Sequence, residues 1–307
     1  MGDVVLKTNG LYMSYGHQRV LDDLSMTINK GDIYGFVGEN GSGKTTVIRL
    51  ISGLIFPEAG DYELFGINYN DPAILGARKK VGGIVESPSI YPNMTARENL
   101  VMQSLILGIK DEARIKAVLD TVGLNDLYES NKVAGNFSLG MRQRLGIAMA
   151  LMSKADFLIL DEPLNGLDPE GIVEIRNLIL KLNQEYGITF LISSHILSEL
   201  SLVATKYGII SHGHILTEVT AEEIAMQCEK RIEIDTLDRE KAKEALSTLV
   251  FSDLIKDTKN GIAIPGDVDY NKVLSAISGL SITGINTVST SLEDYYLSII
   301  KGGKDNA

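Results

Sequence analysis

The stretch Gly38-Glu39-Asn40-Gly41-Ser42-Gly43-Lys44-Thr45-Thr46 constrains this chain more than any other. An apolar run, Ile33 to Val37, precedes it. Behind it Val47, Ile48, Leu50 and Ile51 fall on one helical face that closes at Gly53. Strand, glycine-rich loop and helix in that order are the context a phosphate-binding loop requires. Glycines let the backbone wrap with its N–H groups inward, and the new helix turns its unpaired amides and positive dipole end on the same anion. The pattern predicts that Gly38, Asn40, Gly41, Ser42, Gly43 and Thr46 line the loop. Lys44 sets a point charge on the β- and γ-phosphates, and the Thr45 hydroxyl ligates Mg²⁺. A chance glycine-rich turn is the competing reading, and the flanking strand and helix speak against it. A nucleotide site is expected.

With 307 residues the chain has the length for one large or two modest domains. Its 29 basic against 40 acidic residues leave a net charge of −11. That argues against nucleic acid or an anionic lipid surface as the main partner, because either rewards a basic face. One cysteine, Cys228, leaves no internal disulfide and fits a reducing compartment. Residues Met1 to Lys7 lack a basic region followed by a long apolar block, so no signal peptide is expected. No apolar run approaches the roughly 20 residues that span a bilayer. If the protein works at a membrane, another subunit does the spanning.

Residues 4 to 37 read as strands, with Leu24, Met26 and Ile28 alternating with polar neighbours before the turn Asn29-Lys30-Gly31-Asp32. Tyr15 lies upstream and could stack on a base. From position alone an ordinary sheet tyrosine is favoured. Further β signals run from Asp61 to Phe65 and from Val81 to Val85, ending at Glu86. Thr95 and Glu98 have capping-box spacing and open a helix to about Leu107. A second helix spans Asp111 to Val122. Residues 87–153 thus read as a helical insertion. Phe137-Ser138-Leu139-Gly140 opens another helix, leading to the apolar strand Phe157 to Leu160 and then Asp161-Glu162-Pro163. A helix from Pro169 to about Tyr186, proline at its first position, feeds the strand Thr189 to Ile192 and then Ser193-Ser194-His195. Alternating strands and helices predict an α/β fold with a mainly parallel sheet, whose ligands gather at the carboxyl ends of its strands. Glu86, Asp161, Glu162 and His195 all fall just beyond such ends, which predicts one shared site. His212-Gly213-His214 reads as a hairpin turn rather than a metal-ligand pair.

From Arg231 the pattern becomes strand 231–236, helix 239–249, strand 252–257, strand 261–264, helix 268–278 and strand 281–289. A last helix begins at the capping box Thr290…Glu293. That order predicts a small α+β domain of ferredoxin-like type, without a catalytic constellation.

Taken together, residues 1 to about 225 resemble the ATP-binding subunit of an ABC transporter. Gly38 to Thr45 is similar to Walker A, Ser138-Leu139-Gly140-Met141-Arg142-Gln143 to the signature loop, and Phe157 to Glu162 to Walker B. Leu164-Asn165-Gly166-Leu167-Asp168 resembles the D-loop, and His195 the switch histidine. The resemblance implies a P-loop NTPase fold with an antiparallel β subdomain, a core sheet and a helical insertion. It implies an ATP-binding domain over 1–225, with 226–307 as an accessory domain. It also implies that Tyr15 stacks on adenine. ATP and Mg²⁺ are the implied cofactors, with the metal on Thr45, on Asp161 through water, and on Glu86, which is also expected at the nucleotide. Glu162 becomes the general base or water-positioning carboxylate, and His195 the group that holds the γ-phosphate. Ser138 with the amides of Leu139 and Gly140 would complete the site of an opposite subunit, and Asp168 of the D-loop is implied as a further nucleotide-binding residue. Two copies, or one copy with a homologous partner, are therefore implied, docked on a membrane-spanning permease at the cytoplasmic face.

Two motifs depart from the common pattern. Leu139 and Met141 stand where many members have glycine and glutamine, and Met141 removes a polar contact. Glu86 stands where most have glutamine, and a carboxylate accepts hydrogen bonds but does not donate as an amide does. A glutamate here resembles the subgroup that expels peptide antibiotics such as bacitracin and lantibiotics. The alternative is a soluble ABC-type ATPase acting on a non-membrane partner.

Overall fold

The computed structural model describes residues 3–109, 111–228, 230–288 and 292–304. By contacts the chain divides into two compact units, with the boundary in sequence at Ala221 and Glu222.

The first unit begins with two long strands, β1 (Val4–Tyr15) and β2 (Gln18–Asn29), followed by β3 (Ile33–Val37), α1 (Lys44–Ile51), β4 (Ala59–Leu64) and β5 (Ile67–Asn68). An antiparallel sheet runs in the order β2-β1-β4-β5. Leu24, Met26 and Ile28 are buried on its inner face, as alternation predicts. Where the β1–β2 register slips, between Thr8 and Leu11, the buried Thr8 hydroxyl repairs the ladder. It accepts the amide of Met26 at 2.9 Å and donates to the carbonyl of Leu24 at 3.3 Å.

Next come α2 (Ile74–Arg78), β6 (Val81–Ile84), α3 (Ala96–Ile106), α4 (Glu112–Thr121), α5 (Leu139–Leu151), β7 (Phe157–Asp161), α6 (Pro169–Tyr186), β8 (Thr189–Ser194), α7 (Leu197–Leu200), β9 (Lys206–Ser211) and β10 (His214–Thr220). The core sheet has the order β10-β9-β3-β8-β7-β6. All its pairings are parallel except β9–β10. β3, β7 and β8 are buried along their whole lengths, which is why each carries a stretch of consecutive apolar residues without alternation. α1 buries Val47, Ile48, Leu50 and Ile51 against a core that includes Phe36, Phe157, Ile159 and Leu191. The helical insertion has its capping box in place: Thr95 Oγ1 accepts the Glu98 amide, and Glu98 accepts the Thr95 amide. α6 starts on the Asp168 side chain with proline at its first turn and ends at the left-handed Gly187.

The second unit contains α8 (Ala221–Gln227), β11 (Arg231–Thr236), α9 (Arg239–Leu246), β12 (Lys256–Asp257), β13 (Gly261–Pro265), α10 (Tyr270–Ile277), β14 (Ile282–Val288) and α11 (Leu292–Lys304). Its sheet runs β12-β13-β11-β14, antiparallel throughout, which is the βαββαβ order of a ferredoxin-like domain. The strand predicted over 252–257 is mostly a 3₁₀ turn, Ser252–Leu254, and only Lys256–Asp257 pair with β13. The short β5, α2 and α7 carry too little periodicity to be read beforehand. Thr290 of the expected second capping box lies outside the described residues.

Candidate functional site

The site grows from the carboxyl ends of β3, β7 and β8. After β3 the chain turns through Gly38, where an added Cβ would lie 2.4 Å from the Ile210 carbonyl oxygen, so no side chain fits. Gly43 has φ 113° and directs the loop into α1. Behind the loop, the His212-Gly213-His214 turn sends the Gly213 amide to the Ser42 carbonyl at 3.0 Å. Lys44, only 6% exposed, curls back over the loop it follows. Its Nζ donates to the Gly38 carbonyl at 2.7 Å and lies 3.5 Å from Glu162 Oε1.

At the end of β7 the two carboxylates diverge. Asp161 continues the strand and is buried. It accepts the Thr45 hydroxyl on Oδ2 at 3.1 Å and the Ser193 hydroxyl on Oδ1 at 2.5 Å. Glu162 adopts φ 49°, a left-handed turn that non-glycine residues seldom take, and this swings its side chain back toward the loop. Its amide donates to Ser193 Oγ at 2.8 Å, and its Oε2 meets His195 Nδ1 at 2.8 Å. Glu162 is thus held between Lys44 on one oxygen and His195 on the other. One turn beyond His195, burial pushes the Glu199 carboxyl above its ordinary value; His195 partly opposes this and Glu162 adds to it.

Nothing in the sequence marks the role of Ser193, although its hydroxyl bonds both the Asp161 carboxylate and the Glu162 amide. The pairing Asp161↔Ser193 across β7 and β8 brings them together, and strand register is invisible in an unpaired sequence. Thr45 and Asp161 offer hard oxygen donors 3.1 Å apart, which suits Mg²⁺, an ion that takes few protein ligands beside water and phosphate.

Glu86 goes elsewhere. It also has a left-handed backbone, φ 64°, and its carboxylate pairs with the Arg49 guanidinium at the end of α1. Hydrogen bonds to Glu86 and then to the Tyr15 hydroxyl hold Arg49 above its usual value. Arg49 and Glu86 border a cavity of about 560 Å³ together with Leu54, Gln103, Gly146 and Met149.

Ser138, Leu139, Gly140 and Asp168 form a separate cluster. Ser138 caps α5, its Oγ accepting the Met141 amide at 3.2 Å. Asp168 caps α6 by accepting the Gly171 amide at 3.0 Å. The two helix starts share a cavity of about 460 Å³ with Leu139, Gly140 and Met141. Two anion-suited helix starts therefore exist, one at Lys44 and one at Ser138, and no P-loop residue lines the Ser138 cavity.

The ABC transporter family matches residues 21–165. The chain is 42% identical over 308 residues to the bacitracin transport ATP-binding protein BcrA of Bacillus licheniformis, covering 97% of this chain and 98% of that protein. It is 39% identical over 214 residues to the lantibiotic transport ATP-binding protein SrtF of Streptococcus pyogenes, covering 70% of this chain and 90% of the relative. Among solved structures, a dimeric bacterial ABC transporter cassette superposes with a TM-score of 0.62 at 26% identity, covering 70% of this chain and 98% of the other.

Proposed function

The chain belongs to the ABC transporter family as an ATP-binding, ATP-hydrolysing subunit, and from that premise we propose how its residues divide the work. The P-loop from Gly38 to Thr46 cradles the phosphates of ATP, with Lys44 released from the Gly38 carbonyl to the β- and γ-phosphates. Tyr15 stacks on the base. Thr45, and Asp161 behind it, would hold Mg²⁺, which would supply charge neutralisation at the phosphates. Glu162 accepts a proton from the attacking water and holds it in line, while His195 steadies both Glu162 and the γ-phosphate. Ser193 fixes the two carboxylates relative to each other.

The Ser138 helix start completes the site of a second subunit, either another copy of this chain or a homologue. The separation of the two anion-suited helix starts and the dimeric arrangement of a related cassette support this reading. ATP then acts between the subunits, and hydrolysis lets them part. The subunit drives a membrane-spanning permease that docks at the Glu86 cavity from the cytoplasmic side and exports a peptide antibiotic of the bacitracin or lantibiotic kind. The names of the two relatives support this, as does the absence, among the described residues, of any helix long and apolar enough to cross a membrane.

The observation that carries the hydrolytic reading is Glu162 held between Lys44 and His195 beside the Thr45–Asp161 contact. Glu162→Gln is expected to slow ATP hydrolysis by about 10²–10⁴ while trapping an ATP-dependent dimer, seen by gel filtration with Mg²⁺. Unchanged turnover would remove Glu162 from the mechanism. Recovery of no polytopic membrane protein by affinity capture from cross-linked membranes would remove the permease.

A further inference from the structure

We propose that Gly146 on α5 and Pro88 in the Glu86 loop are positioning residues for ATP hydrolysis. Their contact clasps the loop to the helix that begins at Ser138. This rests on the reading of the chain as an ABC ATPase.

The contact is unusually close. A Cβ on Gly146 would lie 2.7 Å from Pro88 Cβ, 3.0 Å from Pro88 Cγ and 2.9 Å from Ile84 Cδ1. The proline ring therefore occupies the space an ordinary helical side chain would fill. Gly146 is buried inside the helix Leu139–Leu151, where glycine is disfavoured relative to alanine. A close approach of another segment accounts for its presence there. One turn further along the same helix face, the Ala150 carbonyl oxygen would lie 2.8 Å from a Cβ on Gly82. On β6's other side, a Cβ on Gly83 would lie 2.8 Å from the Ile159 carbonyl oxygen of β7. The strand Val81–Ile84 is thus pressed between α5 and β7 with glycine at both contacts.

The loop leaving β6 is itself tightly wound. The Ser87 amide donates to the Val85 carbonyl at 2.8 Å, and the Ile90 amide to the Pro88 carbonyl at 2.8 Å. Glu86 sits between them in a left-handed conformation, and Pro88 adds its fixed φ. Close-packed segments shift as units rather than deform. A push on the Glu86 loop at its cavity is therefore carried by Pro88 into α5, and reaches Ser138 about 12 Å away along the helix. The clasp keeps the Glu86 loop and the signature serine in one fixed relation.

A double-substitution cycle tests this on the full-length chain. Gly146→Ala wedges the loop outward, and Pro88→Gly removes the ring from the gap. Each single variant is expected to lower kcat for ATP hydrolysis about tenfold, as a small misplacement does, with the KM for ATP within about twofold. Placing both changes in one chain moves the knob from loop to helix and should return kcat to within about threefold of wild type. A Gly146→Ala protein that melts higher than wild type and keeps its kcat would overturn the proposal, because alanine would then simply be a better helix residue. So would a double variant no better than the worse single one. Should Gly146→Ala fail to fold, Pro88→Gly decides alone: a lowered kcat at constant KM supports the clasp, and wild-type kcat sinks it. A wild-type chain that does not hydrolyse ATP would instead refute the ATPase reading.

Discussion

Ser193 shows how one hydroxyl can set two acids. It donates to the buried Asp161 and accepts from the amide of Glu162, so it fixes the strained turn that aims Glu162 at Lys44. Ser193→Ala would leave a carboxylate oxygen and an amide without partners, at a cost of about 1–3 kcal/mol. We expect kcat to fall about 10- to 100-fold, since about 1.4 kcal/mol is tenfold, with ATP binding, read by a fluorescent nucleotide, nearly unchanged. A kcat within twofold of wild type would show that the turn holds itself. The residues legible beforehand were those whose chemistry is local. Lys44 and Thr45 follow a contiguous glycine-rich run, and Asp161-Glu162 ends an all-apolar strand. Ser193, Arg49 and Pro88 act through partners distant in sequence, so nothing next to them announces the role.

At the scale of elements, periodicity identified the long strands and helices, because each buries one face or is buried entirely. It missed α2 and overextended β12, where the chain makes one turn or one pairing before leaving the element. It also could not foresee how the two sheets of the first unit are joined. Tyr34 on β3 donates to Glu218 on β10, which also accepts the Thr27 amide of β2. Lys206 on β9 pairs with the same carboxylate and lies over the Tyr34 ring. Burial first, then the charge and hydrogen bond of Glu218, push the Tyr34 hydroxyl well above its ordinary value. The folded protein thus holds this proton more tightly than the unfolded chain does. The resulting stability is complete below the unfolded tyrosine value, about pH 10, and is lost as pH rises above it. Tyr62 and Tyr207 are raised as well, so all three contribute to an alkaline transition. Tyr34→Phe should be less stable at neutral pH, by about 1 kcal/mol for the lost hydrogen bond. It should also lose stability less steeply above pH 10 in urea melts. Parallel pH curves for variant and wild type would contradict this linkage.

At the scale of the whole molecule, each unit has a core of its own. Leu6, Leu24, Ile28, Phe36, Ile48 and Phe157 belong to one buried cluster. Ile232, Ile234, Leu246, Ile262, Ile264 and Val273 belong to another, drawn entirely from the second unit. A domain with its own core folds without its neighbour, and a chain of two such domains unfolds in more than one step. The P-loop, both carboxylates, Ser193, His195 and Ser138 all lie in the first unit. A chain ending at Ala221 is therefore expected to fold, to bind ATP with an affinity within about threefold of the full-length protein, and to melt in a single calorimetric transition where the full chain shows two. Retained nucleotide binding with lost permease stimulation would assign the ferredoxin-like unit to coupling, whereas retention of both would leave it outside the transport cycle. An insoluble fragment, or one cooperative transition for the full chain, would mean that the two cores depend on each other and that their separation in contacts is not a separation in stability.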